Sequence, residues 1–217
     1  MQNHQFIGIT GKIGAGKDTL AQWLQDNCFD GSAAITSFAA PLKQACYAVF
    51  GWSEEIMNNR TTKEAVDPFW GFSPRQAAQL LGTEGMRHLF GDDVWIKALQ
   101  RRLDGDLAAI GTIIIPDVRF ENEARFIREQ GGRIIHMEIA ADTVTLSAQT
   151  KAHASEQGVA FVDGDALIEN NKRLGLPHLY EQFASQLAFL RPSHLIEPDD
   201  GEEWNDSNKR YALGGLR

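Results

Sequence analysis

Directly after the apolar stretch Phe6-Ile7-Gly8-Ile9-Thr10 the chain runs Gly11-Lys12-Ile13-Gly14-Ala15-Gly16-Lys17-Asp18-Thr19, and Leu20, Ala21 and Leu24 then recur at helical spacing. No other feature limits the fold as much. A short buried strand, a glycine loop and a helix in that order make a phosphate-binding loop. The glycines let backbone N–H groups converge on a polyphosphate, the helix N-terminus adds a favourable dipole, and Lys17 sets a cation beside the β and γ phosphates. Gly11, Gly14, Ala15, Gly16, Lys17, Asp18 and Thr19 are the candidate binding residues for a nucleoside triphosphate, with ATP expected as phosphoryl donor. Position 18 holds an aspartate where a Ser or Thr usually ligates magnesium. Either Thr19 meets the α-phosphate while waters complete the magnesium shell, or the Asp18 carboxylate takes part in it. A plainer reading makes Asp18 favourable charge in the first helical turn.

The remaining pattern continues the alternation of strand and helix. Residues 33–38 suggest a second strand, and Pro41 suits the first turn of a helix whose face is Leu42, Ala45, Cys46, Val49 and Phe50, ending at Gly51. Residues 52–72 are irregular and predict a short helix plus loop. Ser73-Pro74-Arg75-Gln76 marks a helix start, with Ser as cap and Gln reaching back to it, and the helix is expected to run towards Leu89. Asp92 and Asp93 open another through Trp95, Ile96, Leu99 and Leu103. Thr112-Ile113-Ile114-Ile115 is apolar throughout, as a strand covered on both faces must be. A helix through Ala124, Ile127 and Arg128 stops at Gly131-Gly132, a strand follows over 133–139, Ala166-Leu167-Ile168 suggests a last strand, and Leu179, Phe183, Leu187 and Leu190 a closing helix. This predicts an α/β, three-layer P-loop NTPase fold with a central, mostly parallel five-stranded sheet. At 217 residues a single domain is expected, over 1–190, followed by an acidic tail over 191–217 read as a solvated appendage or a partner-binding extension.

Composition excludes more than it assigns. A formal charge of -8 opposes sequence-independent nucleic-acid binding, which basic residues drive, and no apolar run reaches membrane-spanning length. Without a basic-then-apolar leader at Met1 to Phe6, the cytoplasm is the expected location. Cys28 and Cys46 have neither metal-ligand nor redox spacing and read as reduced packing residues.

Further candidates follow the loop in sequence. Asp117 closes a central strand at its carboxyl end, where open α/β sheets bind ligands, so it could hold magnesium through water or orient an acceptor phosphate, or else cap the next helix. Arg119 beside it suits a two-pronged bond to phosphate. Arg75, Gln79 and Gly82 share one helical face, and a glycine inside a helix suggests close approach of another group. Lys43 near a helix start is a further anion candidate.

Taken together these segments resemble the bacteriophage-type deoxynucleoside monophosphate kinases, a branch of the P-loop nucleoside monophosphate kinases. The carriers are Gly16-Lys17-Asp18-Thr19, Ser37-Phe38-Ala39 with Pro41-Leu42-Lys43, Ser73-Pro74-Arg75 with Leu81-Gly82-Thr83-Glu84, Asp93-Val94-Trp95, Asp117-Val118-Arg119-Phe120 with Asn122-Glu123, and His153-Ala154-Ser155-Glu156. The resemblance covers most of residues 5–190 and makes Asp18 a family feature. It implies transfer of the ATP γ-phosphate to a deoxynucleoside 5'-monophosphate with Mg2+ required, Lys17, Arg75, Arg119 and Asp117 as catalytic residues, and Asp18 and Asp117 as magnesium contacts, direct or through water. Ser37, Phe38, Lys43, Trp70, Arg75, Gln79, Gly82 and Arg119 are the implied acceptor contacts, with Trp70 either stacking on the base or, the commoner fate of a tryptophan, packing in the core. Related kinases close an arginine-bearing lid, yet 140–157 offers Lys151 and His153, with Arg128, Arg133 or Arg173 as substitutes. Small-molecule nucleotides are the implied partners, with no nucleic-acid polymer and no membrane; a homodimer stays open, and a phage-encoded copy works in the host cytoplasm. The alternatives are a dephospho-coenzyme A or phosphomevalonate type of P-loop kinase, or a non-enzymatic ATP-binding regulatory module.

Overall fold

A computed structural model describes residues 4–29, 32–140 and 158–186. Within them, strands β1 (Gln5–Gly11), β2 (Ala33–Ile35), β3 (Thr112–Ile115), β4 (Arg133–Ile139) and β5 (Ala166–Asn170) form one sheet in the order β2-β3-β1-β4-β5. Every neighbouring pair is parallel. Side chains alternate across a strand, so one sheet feeds two cores. Phe6, Ile113, Ile115 and Ile134 pack on one face against Leu42 and Cys46 of α2 (Ala40–Phe50), Trp95, Ile96 and Leu99 of α7 (Val94–Leu103) and Ile127 of α8 (Glu121–Glu129). On the other face, Ile7, Ile9, Ile114 and Ile135 meet Leu20 and Leu24 of α1 (Lys17–Cys28) and Leu179 and Phe183 of α9 (Gly175–Gln186). Ile113, Ile114 and Ile115 are completely buried, as the uniformly apolar run requires. Three layers result, helices over sheet over helices.

Three regions depart from the sequence expectation. The second strand stops at Ile35 instead of continuing to 38, because Phe38 and Ala39 turn their N–H groups to the Asp117 carboxylate at 3.0 and 2.9 Å. The helix opened by Ser73 has the expected capping box, Gln76 N donating to Ser73 Oγ and Ser73 N to Gln76 Oε1. It does not stay α-helical, however: α5 (Pro74–Gln79) passes into a π-helical stretch, Leu80–Arg87, before a last turn, α6 (His88–Phe90). Residues 52–72 hold two short helices, α3 (Glu54–Asn58) and α4 (Arg60–Glu64), rather than one. Among the described residues no helix is long and apolar enough to cross a membrane. Lys151, His153, the His153-Ala154-Ser155-Glu156 segment, Leu187, Leu190 and the tail over 191–217 lie outside the described residues.

Candidate active site

The glycine loop joins β1 to α1 at the carboxyl edge of the sheet. Gly11 takes φ 142°, and a Cβ there would stand 2.2 Å from the Met137 carbonyl oxygen of β4, so no side chain fits. Gly16 takes φ 96° under the buried Asn170 of β5, whose Nδ2 donates to Ala15 O at 2.9 Å. The fold thus grips the loop from its two neighbouring strands. Lys17 Nζ lies across it, donating to Gly11 O at 2.6 Å and Lys12 O at 2.9 Å. Gly14, Lys17 and the exposed Asp18 line the cleft outside, while Ala15 is buried and Thr19 sits half-buried in α1.

A wide cavity opens beside this loop, and a narrow one adjoins it. The wide one, about 670 Å³, runs from Gly14, Lys17 and Asp18 past Thr36 and Ser37 to Lys43, Arg75 and Arg119. The narrow one, about 110 Å³, is walled by Phe38, Leu42, Ala78, Gln79, Gly82, Thr83 and Trp95. Lys43, Lys63, Arg75, Arg119 and Asp117 line both. Four cations therefore stand where a wide polar cleft meets a narrow, mainly apolar pocket.

Each is positioned by identifiable contacts. Lys43 Nζ donates to Asn58 Oδ1 at 2.9 Å, and Arg75 pairs with Glu64. The Arg119 N–H donates to Glu123 Oε2 at 2.9 Å, and Phe120 N–H to the same oxygen at 3.2 Å. Glu123 is itself buried, paired with Arg87 at 2.5 Å, and Arg87 lies 3.8 Å over the Phe120 ring. Burial, then the Asp117 carboxylate, push the Glu123 carboxyl up to about 7. Burial also raises Asp117, against the two backbone N–H groups and Arg119. Lys63 is pushed down to about 8, first by burial and then by Arg75, Lys43 and Arg119. Like charges held together out of water favour an anionic ligand. Gln79 adds a different demand: its Nε2 is buried with no hydrogen-bond partner. Such a donor is costly unless a ligand supplies the acceptor.

The structure brings Lys17, Asp18, Ser37, Phe38, Lys43, Arg75, Gln79, Gly82, Asp117 and Arg119 to these two cavities. It corrects several details. Trp70 lines neither cavity; it stacks on Phe72, meets Phe50 edge-on and donates through Nε1 to Phe50 O, so it closes an aromatic cluster behind α2 rather than stacking on a base. The group approaching Gly82 is Leu42, whose Cδ2 lies 2.8 Å from where a Cβ would stand, while the Gly82 carbonyl accepts from Trp95 Nε1. Asp117 does not cap α8, before which Glu123 accepts the N–H groups of Arg119 and Phe120; its oxygens anchor the start of α2 instead. Each Asp117 oxygen accepts one N–H group, of Phe38 or Ala39, and keeps a second lone pair. Arg128 is paired with Asp165 at 2.6 Å, and Arg133 starts β4 at the opposite edge of the sheet, which leaves Arg173, just past β5, on the ligand side.

Sequence reasoning missed Lys63 and Asn170, and quoted Glu123 within a motif without giving it a role. Asn170 ends a parallel strand as Asp117 does, so the carboxyl-end rule applied to β5 would have found it. Nothing in the periodicity of 52–72 marks Lys63.

Comparison with known proteins adds a family. Residues 53–182 match the family described as deoxynucleotide monophosphate kinase. A putative deoxynucleotide monophosphate kinase of Acanthamoeba polyphaga mimivirus is 31% identical over 83% of this chain and 93% of its own length. The deoxynucleoside-5'-monophosphate kinase of Escherichia phage T5 is 24% identical over 70% of this chain and 84% of its own. Among solved structures, an unliganded sugar kinase from Janibacter sp. HTCC2649 aligns over 86% of this chain and 95% of its own, with TM-score 0.46 and 17% identity.

Proposed function

The chain belongs to the deoxynucleotide monophosphate kinase family, and from that premise we propose that it transfers the ATP γ-phosphate to a deoxynucleoside 5'-monophosphate, giving ADP and the diphosphate. The carrying observation is the shared wall: Lys43, Lys63, Arg75 and Arg119 face both a cleft that begins at the glycine loop and a pocket shaped for a flat, largely apolar group. A triphosphate seated on the loop and a base seated in the pocket bring their phosphates together at those cations. Phosphoryl transfer asks for little else, since it proceeds by positioning and charge neutralisation.

In this reading the phosphate draws Lys17 off the Gly11 and Lys12 carbonyls. Arg75 and Arg119 hold the acceptor phosphate in line, the second fixed through its own N–H by Glu123. Asp117 keeps Phe38 and Ala39, and hence the Lys43-bearing helix, in register with β3. Gln79 reads the edge of the base, and Phe38 walls the pocket. Asp18, exposed in the cleft beside Lys17, would hold magnesium carried with ATP through water, and the ion would neutralise phosphate charge.

The test is a panel of acceptors with ATP and magnesium: the four deoxynucleoside monophosphates, their ribose counterparts, dephospho-coenzyme A and phosphomevalonate. ADP release that depends on a deoxynucleoside monophosphate is the expected result. Transfer to a coenzyme A precursor or phosphomevalonate with none to any nucleotide overturns the reading, and so does ATP binding without any acceptor-dependent turnover.

A further inference from the structure

Residues 52–72 stand outside the strand and helix alternation, yet they are firmly held. Met57 is completely buried, Trp52 Nε1 donates to Asp67 Oδ2 at 2.7 Å, and Thr62 Oγ1 donates to Ile56 O at 3.0 Å, locking α4 onto α3. Asn59 caps α4 by accepting from Thr61 N at 2.8 Å. A bracket so pinned presents its side chains at fixed positions, and the charged one it brings to both cavities is Lys63. Resting on the kinase reading above, we infer that Lys63 contacts the acceptor phosphate and stays on the phosphoryl group during transfer, a phosphate-holding role beyond those of Lys17, Arg75 and Arg119.

The surrounding charges explain why an anion belongs there. Acting on Lys63 are Lys43 and Cys46 of α2, Arg75 of α5, Arg119 after β3 and Glu64 on its own helix, and the cavities that it lines also hold Tyr47, Glu54, Asp117 and the Arg87–Glu123 pair. Glu64 is engaged by Arg75, and both Asp117 oxygens accept backbone N–H groups. What remains around Lys63 is chiefly positive, and with burial this holds its ammonium at about 8. A phosphate dianion reverses that balance and draws a proton onto the amine. Binding is therefore proton-linked: with the free amine near 8, affinity falls by up to about tenfold per pH unit above that value, because the neutral amine must be protonated again. The phosphate itself does not titrate in this range, its second ionisation lying near about 6.

The experiment titrates the full chain with dTMP at pH 8.5, in two buffers of different ionisation enthalpy, alongside Lys63→Gln and Lys63→Arg. Wild type is expected to take up a fraction of a proton. Neither variant does, since glutamine cannot titrate and a guanidinium stays charged. From pH 7 to 9.5 the wild-type dissociation constant for dTMP climbs, while those of both variants stay flat. In turnover, Lys63→Gln lowers kcat/KM for dTMP on the order of a hundredfold, while ATP affinity measured without acceptor stays within about threefold. Proton uptake that persists in both variants, or a Lys63→Gln kcat/KM for dTMP within about threefold of wild type, removes Lys63 from the phosphate. If wild type phosphorylates no deoxynucleoside monophosphate yet takes up the Lys63-dependent proton on binding dTMP, the kinase reading falls and with it the role in transfer, while the contact of Lys63 with the phosphate stands; transfer at an unchanged rate in Lys63→Gln leaves the kinase reading and overturns the role of Lys63.

Discussion

In the glycine loop a single run of residues shapes the proposed donor site through its backbone, with Gly11 at φ 142° and Gly16 at φ 96° clamped under Met137 and Asn170. The proposed acceptor cleft instead collects side chains from separate elements: Lys43 from α2, Lys63 from α4, Arg75 from α5 and Arg119 after β3. The first arrangement is rigid and all-or-none, because a backbone cradle either converges on phosphate or does not. The second is graded, because each cation neutralises part of one charge and its neighbours can cover for a loss. Substitutions on the donor side should therefore abolish activity, and those on the acceptor side should divide it.

Lys17→Ala carries the largest effect expected. Transfer should fall on the order of a thousandfold or more, since the loop loses its cation at the bond being broken. dTMP affinity, read by calorimetry, should stay within about threefold. An equal loss of acceptor binding would mean that the two sites are one unit and that the contrast between them is mistaken.

Asp117→Asn comes next, because Asp117 couples the sides. Its two oxygens serve the Phe38 and Ala39 N–H groups, and an amide must turn its own NH2 towards one of them. One buried N–H is then unpaired, a loss of about 1–3 kcal/mol in urea unfolding. As α2 drifts with Lys43, kcat/KM for the monophosphate should drop by about ten- to a hundredfold, with a smaller change in ATP affinity. A larger loss on the ATP side would move Asp117 to the donor half.

What was legible in the sequence follows the same division. The loop could be read residue by residue, since its chemistry lies in glycine spacing between a strand and a helix. The sheet was equally plain, because Ile113, Ile114 and Ile115 admit no exposed face. Part of the cavity wall was visible in Arg75, Gln79 and Gly82 through helical spacing, and at Asp117 and Arg119 through their place after a strand; all five line the narrow cavity. Lys63 was hidden because its position depends on Met57 and Trp52 anchoring two short helices, a tertiary fact with no period. Trp70 went the other way: the resemblance offered it as a base contact beside the commoner fate of a core tryptophan, and here the stretch folds around its own aromatic cluster.

Gln79→Leu separates binding from stability in one variant. Removing a buried donor that has no partner should stabilise the unliganded protein by about 1 kcal/mol, seen as a rise in Tm. The base loses its hydrogen bond, so kcat/KM should fall by about tenfold and unevenly across the four deoxynucleoside monophosphates. If stability drops and all four acceptors suffer alike, Gln79 is a packing residue of the pocket wall and the base is read elsewhere.

Trp70→Phe should change catalysis least, and that small effect makes it the sharpest check on where the acceptor pocket ends. The indole sits among Phe50, Phe69 and Phe72, with its N–H on the last carbonyl of α2. Phenylalanine preserves most of the ring contact and gives up one hydrogen bond and some volume, so stability should fall by about 1–2 kcal/mol. KM for each monophosphate should stay within about twofold, because no wall of either cavity moves. A base stacked on Trp70 would behave otherwise: purine monophosphates, with the larger face, would lose more affinity than pyrimidine ones. Such a purine-weighted loss would extend the acceptor site past α2 into the aromatic cluster, and residues 52–72 would then serve the base as well as the phosphate.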